Sequence, residues 1–433
     1  MVRRHVRVLV LLLLAAFGAW LVLVQRSQKQ QRQREYGEGL TDQDYAGLRA
    51  ATTLDGFRDN LALIDPHGAL HPYLRLHDDG AELQEAPGGE ALAAVSWSLA
   101  SPVNGAPRVE QLRDLRVLID PGHFGGQWSE IEKRHIVVGE RPPVREGNLT
   151  WATARLMEEE LRASGAKPVV SRPPPPQSPF PEPPPRFSDD QELLAWLRAH
   201  LARQPLTSWL SDNPVQLRLL HDAYREPPEE ETPAVRAFFT LFNRFDLRRR
   251  SQLAEEIGAD ITLSIHYNVA RDPEVNKVLA FVPGGVLAEE MESGPERYWA
   301  FKRAIGDELP TLIELAGAIS SAMQEELGVS GKSNEPIRRP PRKTPVDEDN
   351  GVFARNLAVL KRTPGLVLLL EGPCMNNPEE HQRLLDDSVQ IDGEGHPERA
   401  RQYARAAVRG LKEKAALIWD YRARHRPESQ PTE

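Results

Sequence analysis

Three short apolar stretches constrain this chain more than anything else in it: Leu115 to Ile119, Ile261 to Ile265 and Leu366 to Leu370. Each is rich in branched aliphatic residues and too brief for a helix, which is the pattern of a strand buried in a sheet. Each also runs into a residue with chemistry. The first is cut off by Asp120-Pro121-Gly122 and delivers His123, the second delivers His266, and the third delivers Glu371. Ligands of α/β proteins collect at the carboxyl ends of such strands, so three tips can converge on one cleft.

A fourth residue enters from a helix. Glu146 is followed by Leu149, Ala152, Leu156 and Leu161 at roughly helical spacing, and Ser164-Gly165 supplies the stop. Val169 and Val170 then begin another strand. The order strand, helix, strand, helix, strand predicts an α/β fold, with a single catalytic domain built on a mainly parallel twisted sheet flanked by helices.

His123, Glu146 and His266 amount to two imidazoles and a carboxylate, a set that holds zinc and leaves a fourth position for water. Glu371 is then a further carboxylate that can shuttle protons without touching the metal. Taken singly, each has a plain structural reading: a histidine after a strand is usually a surface residue, and a glutamate at a helix start favours the helix dipole. A look-alike of the first motif, Ile64-Asp65-Pro66-His67-Gly68, has no downstream support. Tyr73 to Gln84 alternate around Asp78-Asp79-Gly80, so His67, His71 and His77 are expected to decorate a small β-hairpin.

In order, the motifs resemble a known family. From about Leu115 to Leu385 the chain resembles the zinc-dependent N-acetylmuramoyl-L-alanine amidases of the Amidase_3 type, which are cell-wall hydrolases. Ile119-Asp120-Pro121-Gly122-His123 matches the first ligand motif, and Glu146 with its helix and Gly165 matches the second. Arg250, Ala254 and Ala259-Asp260 lead into Ser264-Ile265-His266-Tyr267-Asn268, and Leu360, Pro364, Leu368, Glu371-Gly372, Asn377 and Glu380 follow the closing strand, glutamate and turn. Glu130, Glu132 and Glu140 compete with Glu146, but only Glu146 lies one helix length before Gly165, as the family arrangement requires. Tyr267, Glu255 and Pro373-Cys374 depart from the family's usual residues.

The resemblance implies Zn2+ held by His123, Glu146 and His266, with Glu371 catalytic. Zinc-activated water would attack the amide between N-acetylmuramic acid and L-alanine in peptidoglycan, and Glu371 would take the water proton and return it to the departing amine. Asp120 and Asn268 are candidates for orienting a ligand histidine or a substrate group, against a simple capping role. Two other classes stay open. A zinc carboxypeptidase on the same scaffold would need a docking cation, for which Arg248, Arg249 and Arg250 are nearby; a non-catalytic wall-binding scaffold would have no use for all four site residues.

Arg3, Arg4 and Arg7 precede an uninterrupted apolar run from Val8 to Val24, which at about 1.5 Å per residue is just long enough to cross a bilayer. Residues 1–27 are therefore expected to be a membrane segment, an uncleaved anchor in preference to a removed signal peptide because the run continues past Ala15, Ala16 and Gly18. Arg26, Lys29, Arg32 and Arg34 compete with the N-terminal arginines for the inside, so the wall substrate, and not the charge count, places the rest in the periplasm or outside the cytoplasm, anchored to the inner membrane.

The rest of the chain is organised around a catalytic domain at 111–425. Residues 28–110 read as a charged tether and a small β-containing region, either an accessory domain or an extension packed on the catalytic one. Two helical insertions are expected. The first, 173–245, follows proline clusters and carries helical patterns with Ser188, Asn213 and Thr232 as N-caps. The second, 283–350, has helical segments near Glu296 to Glu308 and Thr311 to Leu327, stopped by Gly328, and a basic loop from Pro336. Some division-associated relatives carry a helix that covers the cleft until an activator protein removes it, and this insertion is a candidate, against simple packing on the sheet. Pro397 to His425 is expected as a final packing helix before a tail at 426–433. The formal charge of −9 does not suggest a nucleic-acid partner, and one cysteine, Cys374, excludes an intramolecular disulfide.

Overall fold

The structure, a computed structural model, describes residues 40, 42–98, 111–126, 129, 132–172, 189, 191–192, 195, 246–332 and 343–425. The apolar run Val8 to Val24, the N-caps Ser188, Asn213 and Thr232 with nearly all of the first insertion, and the 426–433 tail lie outside the described residues. Among the described residues no helix is long and apolar enough to cross a membrane.

The N-terminal part folds onto the second insertion. The helix Leu54–Ile64 is capped by Thr53, whose side chain accepts the Gly56 N–H. Phe57 packs edge-on against Phe301 at 6.3 Å, and Asn60 Nδ2 donates to the carbonyls of Ala304 and Gly306. The N–H groups of Gly285 and Val286 donate to Leu63 and Ile64. Strands β1 (Leu74–Leu76), β2 (Gly80–Gln84) and β3 (Ala91–Ser96) make the expected antiparallel β element. His77 there faces Glu82 at 3.5 Å.

The central sheet uses β4 (Arg116–Pro121), β7 (Lys167–Val170), β8 (Ile261–Asn268), β9 (Leu279–Pro283), β10 (Thr344–Asp347), β11 (Val352–Arg355) and β12 (Leu366–Cys374). Their order is β10-β11-β9-β12-β8-β4-β7. β7, β4, β8 and β12 are mutually parallel, whereas β9 pairs with β12 antiparallel and β10 with β11 antiparallel. Two small hairpins complete the strands, β5 (His135–Ile136) with β6 (Val144–Arg145) and β13 (Val389–Ile391) with β14 (Glu394–His396).

Alternation along β12 separates two faces. Leu366, Leu368 and Leu370 point into the main core, while Val367 and Leu369 join a second cluster with Leu279, Phe281, Phe353, Val359 and Leu360. The main core is closed by the helices Glu146–Ala163, Glu308–Leu327 and Glu398–Glu413. A Cβ on Gly410 would lie 2.5 Å from Ile319 Cα, so the last two helices pack backbone against backbone.

The described part of the second insertion packs on the sheet. Its long helix buries Leu309, Leu312, Leu315 and Ile319 in the main core, on the face opposite Glu371, which follows Leu369 by two residues. The insertion is also more than helices, since its β10 extends the sheet beside β11. The C-terminal helix is broken at Lys414 into Glu398–Glu413 and Ala415–His425.

Candidate metal centre

Each site residue is placed by a local feature of the backbone. Pro121 ends β4, and Gly122 donates its N–H to the Ile265 carbonyl at 2.8 Å. A Cβ on Gly122 would sit 2.2 Å from His266 Cε1, so only glycine lets the two strands present both imidazoles side by side. His123 then adopts φ 58°, a left-handed conformation that turns its ring back over the strand ends. Arg172, at the end of β7, donates to the His123 carbonyl and pairs with Asp246, and its guanidinium lies 4.4 Å from the Phe124 ring centre. Glu146 opens the Glu146–Ala163 helix, and Gly147 behind it admits the Phe124 carbonyl, which a Cβ would meet at 2.3 Å. Glu371 stands directly beside His266 in the parallel β12–β8 register.

The three expected ligands come together. Glu146 Oε1 is 3.2 Å from His266 Nδ1 and 3.5 Å from His123 Nε2, and one donor atom from each residue lies within 4.8 Å of the others. The edge of a tetrahedron with metal–ligand bonds of about 2.0–2.1 Å is about 3.3 Å, so these spacings suit a small tetrahedral cation. Glu146 is almost wholly buried, receives the Tyr267 N–H on Oε1, and leaves its buried Oε2 without a hydrogen bond. Arg134 Nη1 faces it at 3.9 Å, beyond hydrogen-bond reach, and offsets part of the cost of burying its charge.

Electrostatics support the same use. Burial pushes His123 well below its ordinary range against the pull of Glu146. Burial alone would raise Glu146, but His123 and the hydrogen bond from His266 hold it down to about 2. Burial, reinforced by the charge of Glu146, pushes Glu371 up to about 8. Its Oε2 is buried with no hydrogen-bond partner, and so available to a proton.

Other expected roles fall elsewhere. Asp120 does not orient a histidine: Arg250 donates to its Oδ2 at 2.6 Å, Ser264 donates to Oδ2 at 3.1 Å, and Ser171 donates to Oδ1 at 2.6 Å. Arg250 outweighs burial and holds this carboxyl below its usual range. Asn268 ends β8 and accepts the Met375 N–H on its backbone carbonyl, while its side-chain Nδ2 is buried without a hydrogen bond and stays a candidate for orienting a substrate group. The docking cation of a carboxypeptidase is not found at Arg250, which is buried between Asp120 and Asp246, nor at Arg249, which pairs with Glu256.

The residue beside His123 is instead Glu132, one of the competing carboxylates. Its Oε2 accepts the Phe124 N–H at 2.8 Å, and its Oε1 stands 3.7 Å from His123 Nδ1, on the ring edge turned away from Glu146. That distance exceeds a hydrogen bond. Burial raises Glu132 to about 7. Tyr403 steadies the other side, its hydroxyl donating to the Leu370 carbonyl at 2.8 Å between the two strands that carry His266 and Glu371.

A family model described as Amidase_3, N-acetylmuramoyl-L-alanine amidase, matches residues 117–394. No curated protein matches the chain. Solved structures that resemble it include the CwlD amidase of Clostridioides difficile in complex with the GerS lipoprotein, at 13% identity and TM-score 0.38, covering 70% of this chain and 100% of that one. The amidase Ami1 of Mycobacterium smegmatis is 14% identical, with TM-score 0.37 and 71% and 98% of the two chains covered. The catalytic domain of CwlV from Bacillus (Paenibacillus) polymyxa var. colistinus gives 14% identity, TM-score 0.37 and coverage of 70% and 99%. The family match spans the strands and the helix that carry His123, Glu146, His266 and Glu371, and the chain belongs to the N-acetylmuramoyl-L-alanine amidases of the Amidase_3 family.

Proposed function

We propose that this amidase is a zinc enzyme that cleaves the bond between N-acetylmuramic acid and L-alanine, with His123, Glu146 and His266 holding the metal and Glu371 as the catalytic carboxylate. The observation that carries this reading is the convergence of two imidazoles and a carboxylate, with Glu146 Oε1 3.2 Å from His266 Nδ1 and 3.5 Å from His123 Nε2, beside a buried, unpartnered Glu371 oxygen. When bound, zinc supplies Lewis acidity and lowers the pKa of water toward about 7.

The chain's own residues do the rest. Glu371 accepts a proton from the attacking water at Oε2 and delivers it to the departing amine of L-alanine. Its raised proton affinity suits the second task, because a carboxyl that holds its proton near neutral pH is a competent acid. Glu132 and the Glu146 carboxylate fix the ring of His123 from opposite edges, and the Tyr267 N–H fixes Glu146. We further place the chain outside the cytoplasm, tethered to the inner membrane through the Val8 to Val24 run, where its substrate is found; membrane fractionation of the full chain beside one lacking residues 1–27 tests this.

Mass spectrometry of peptidoglycan digested by the protein, with and without chelator and beside Glu371→Gln, tests the chemistry. Free stem peptides released from glycan, lost in both controls, are expected. Shortened stems still attached to glycan would replace the amidase by a carboxypeptidase.

A further inference from the structure

At the rim of the His123, Glu146 and His266 cluster stands a cation with a fixed backbone and a loosely held side chain. Arg134 directly precedes β5, and Lys133 before it turns the chain at φ 55°. The Arg134 N–H donates to the Ser129 carbonyl at 2.7 Å, and the Arg134 carbonyl accepts the Glu146 N–H at 2.9 Å. Its Nη1 stands 3.9 Å from Glu146 Oε2, the guanidinium makes no hydrogen bond among the described residues, and the side chain is 46% exposed. The neighbouring Arg172 and Arg250 differ, since both are bound to Asp246. The charge of Arg134 reaches three of the four site residues. It adds to burial in lowering His123, joins His123 in holding Glu146 down against burial, and opposes the rise that burial imposes on Glu371.

Hydrolysis of an amide puts negative charge on the carbonyl oxygen, and donors aimed at that oxygen are commonly the largest single contribution to such catalysis. The backbone donors around the site are already engaged. Gly122 donates to the Ile265 carbonyl, Phe124 to Glu132 Oε2, Gly126 to Asn148 Oδ1 and Tyr267 to Glu146 Oε1. Asn268 Nδ2 and the Arg134 guanidinium remain, and only the second carries a charge and opens to solvent. A guanidinium presents several N–H groups in one plane and stays protonated at any working pH. We propose that Arg134 is a further catalytic residue, donating N–H to the scissile carbonyl oxygen as that oxygen becomes an oxyanion. The water oxygen adds to the carbonyl carbon, the π pair moves onto the oxygen beside Arg134, and the water proton passes to Glu371. Return of that pair breaks the C–N bond, the proton passes from Glu371 to the nitrogen, and a carboxylic acid and a free amine result. This rests on the amidase reading and adds a residue to that reaction.

The test follows cleavage of a soluble muramyl peptide by the zinc-loaded protein. Arg134→Gln is expected to lower kcat on the order of 100-fold with little change in KM, the pattern of a donor that acts only in the transition state. Arg134→Lys is expected to keep part of the rate, and added guanidinium to restore part of it to Arg134→Ala. Two readouts need no turnover. Zinc affinity, measured by competition with a chromophoric chelator, is expected not to fall in Arg134→Gln. A phosphinate that replaces the scissile amide, tetrahedral and anionic, is expected to bind Arg134→Gln on the order of 100-fold more weakly than wild type in calorimetry, while the uncleaved amide binds Glu371→Gln and the Glu371→Gln, Arg134→Gln double variant alike. An unchanged kcat would overturn the proposal, as would a rise in KM alone, which marks an anchor for the bound substrate. A fall in zinc affinity that accounts for the lost rate would overturn it too, because Arg134 would then serve only to position Glu146. Each of these outcomes leaves the amidase reading intact. Failure of the wild-type protein to cleave the muramyl amide would overturn that reading, and this inference with it.

Discussion

At Gly122 a single hydrogen atom decides whether two of the proposed metal ligands can coexist. A methyl group there would fall 2.2 Å from the His266 ring, well inside contact distance, and 2.4 Å from its Nε2. The ring has little room to retreat, because Nδ1 is engaged by Glu146 and the residue is flanked by β4 and β12. Gly122→Ala is therefore expected to weaken metal binding on the order of 10–100-fold, the scale seen when ligand orientation is lost, while the fold survives. Competition with a chromophoric chelator measures it; unchanged affinity would mean that His266 is not a ligand. Residue by residue, the site was legible because its members end apolar runs or open a helix, and these local signals do not depend on the rest of the chain. Glu132 was legible only as a rival to Glu146. Its actual place depends on a loop that folds back to the Phe124 N–H, and nothing in the sequence around it encodes that return.

Among the elements, the β13–β14 hairpin and the Glu308–Leu327 helix lend themselves to separate tests. His396 at the end of β14 packs beside Trp151 at 5.8 Å, and burial lowers its pKa below 6.5 in spite of the opposing charges of Glu394, Asp387 and Asp392. A histidine held neutral by the fold contributes stability that is present above its unfolded pKa and is lost as pH falls through the folded value. The hairpin is thus expected to loosen below about pH 6.5, and His396→Gln to flatten that acid limb, read by Trp fluorescence and by melting temperature from pH 8 to 5. A parallel pH profile for variant and wild type would remove His396 as the cause. The helix makes a different prediction. Leu312 is fully buried in the main core, so Leu312→Ala is expected to cost about 2–5 kcal/mol in denaturant unfolding. Because the helix lies behind the sheet, the surviving folded fraction should keep its specific activity. A gate would instead give a variant more active than wild type. Helical periodicity shows that such a helix exists but not which face of a sheet it covers.

For the whole molecule, the sequence order of strands and helices was enough to give the layer architecture, whereas the docking of the N-terminal region was not. It depends on contacts such as Asn60 with the carbonyls of Ala304 and Gly306, far apart in the chain and without periodicity. The consequence is one connected core running from Phe57 through Phe301 to the sheet, with the proposed metal site at the junction of β4, β8, β12 and the Glu146–Ala163 helix. A ligand binding such a junction stabilises the whole folded state, because unfolding disperses all its donors. At free zinc of about 1,000 times Kd the gain is about 4 kcal/mol, or roughly 4–5 °C in melting temperature for a chain of this size. Chelation is expected to lower the melting temperature by that order and zinc to restore it, with magnesium ineffective because the donors include two imidazoles. His123→Ala and His266→Ala should each lose the zinc response without losing the cooperative transition. If instead chelation affected only activity and the transition did not move, the metal would be bound too weakly to act as a resident cofactor, and Glu371 would have to work in a site assembled only with substrate.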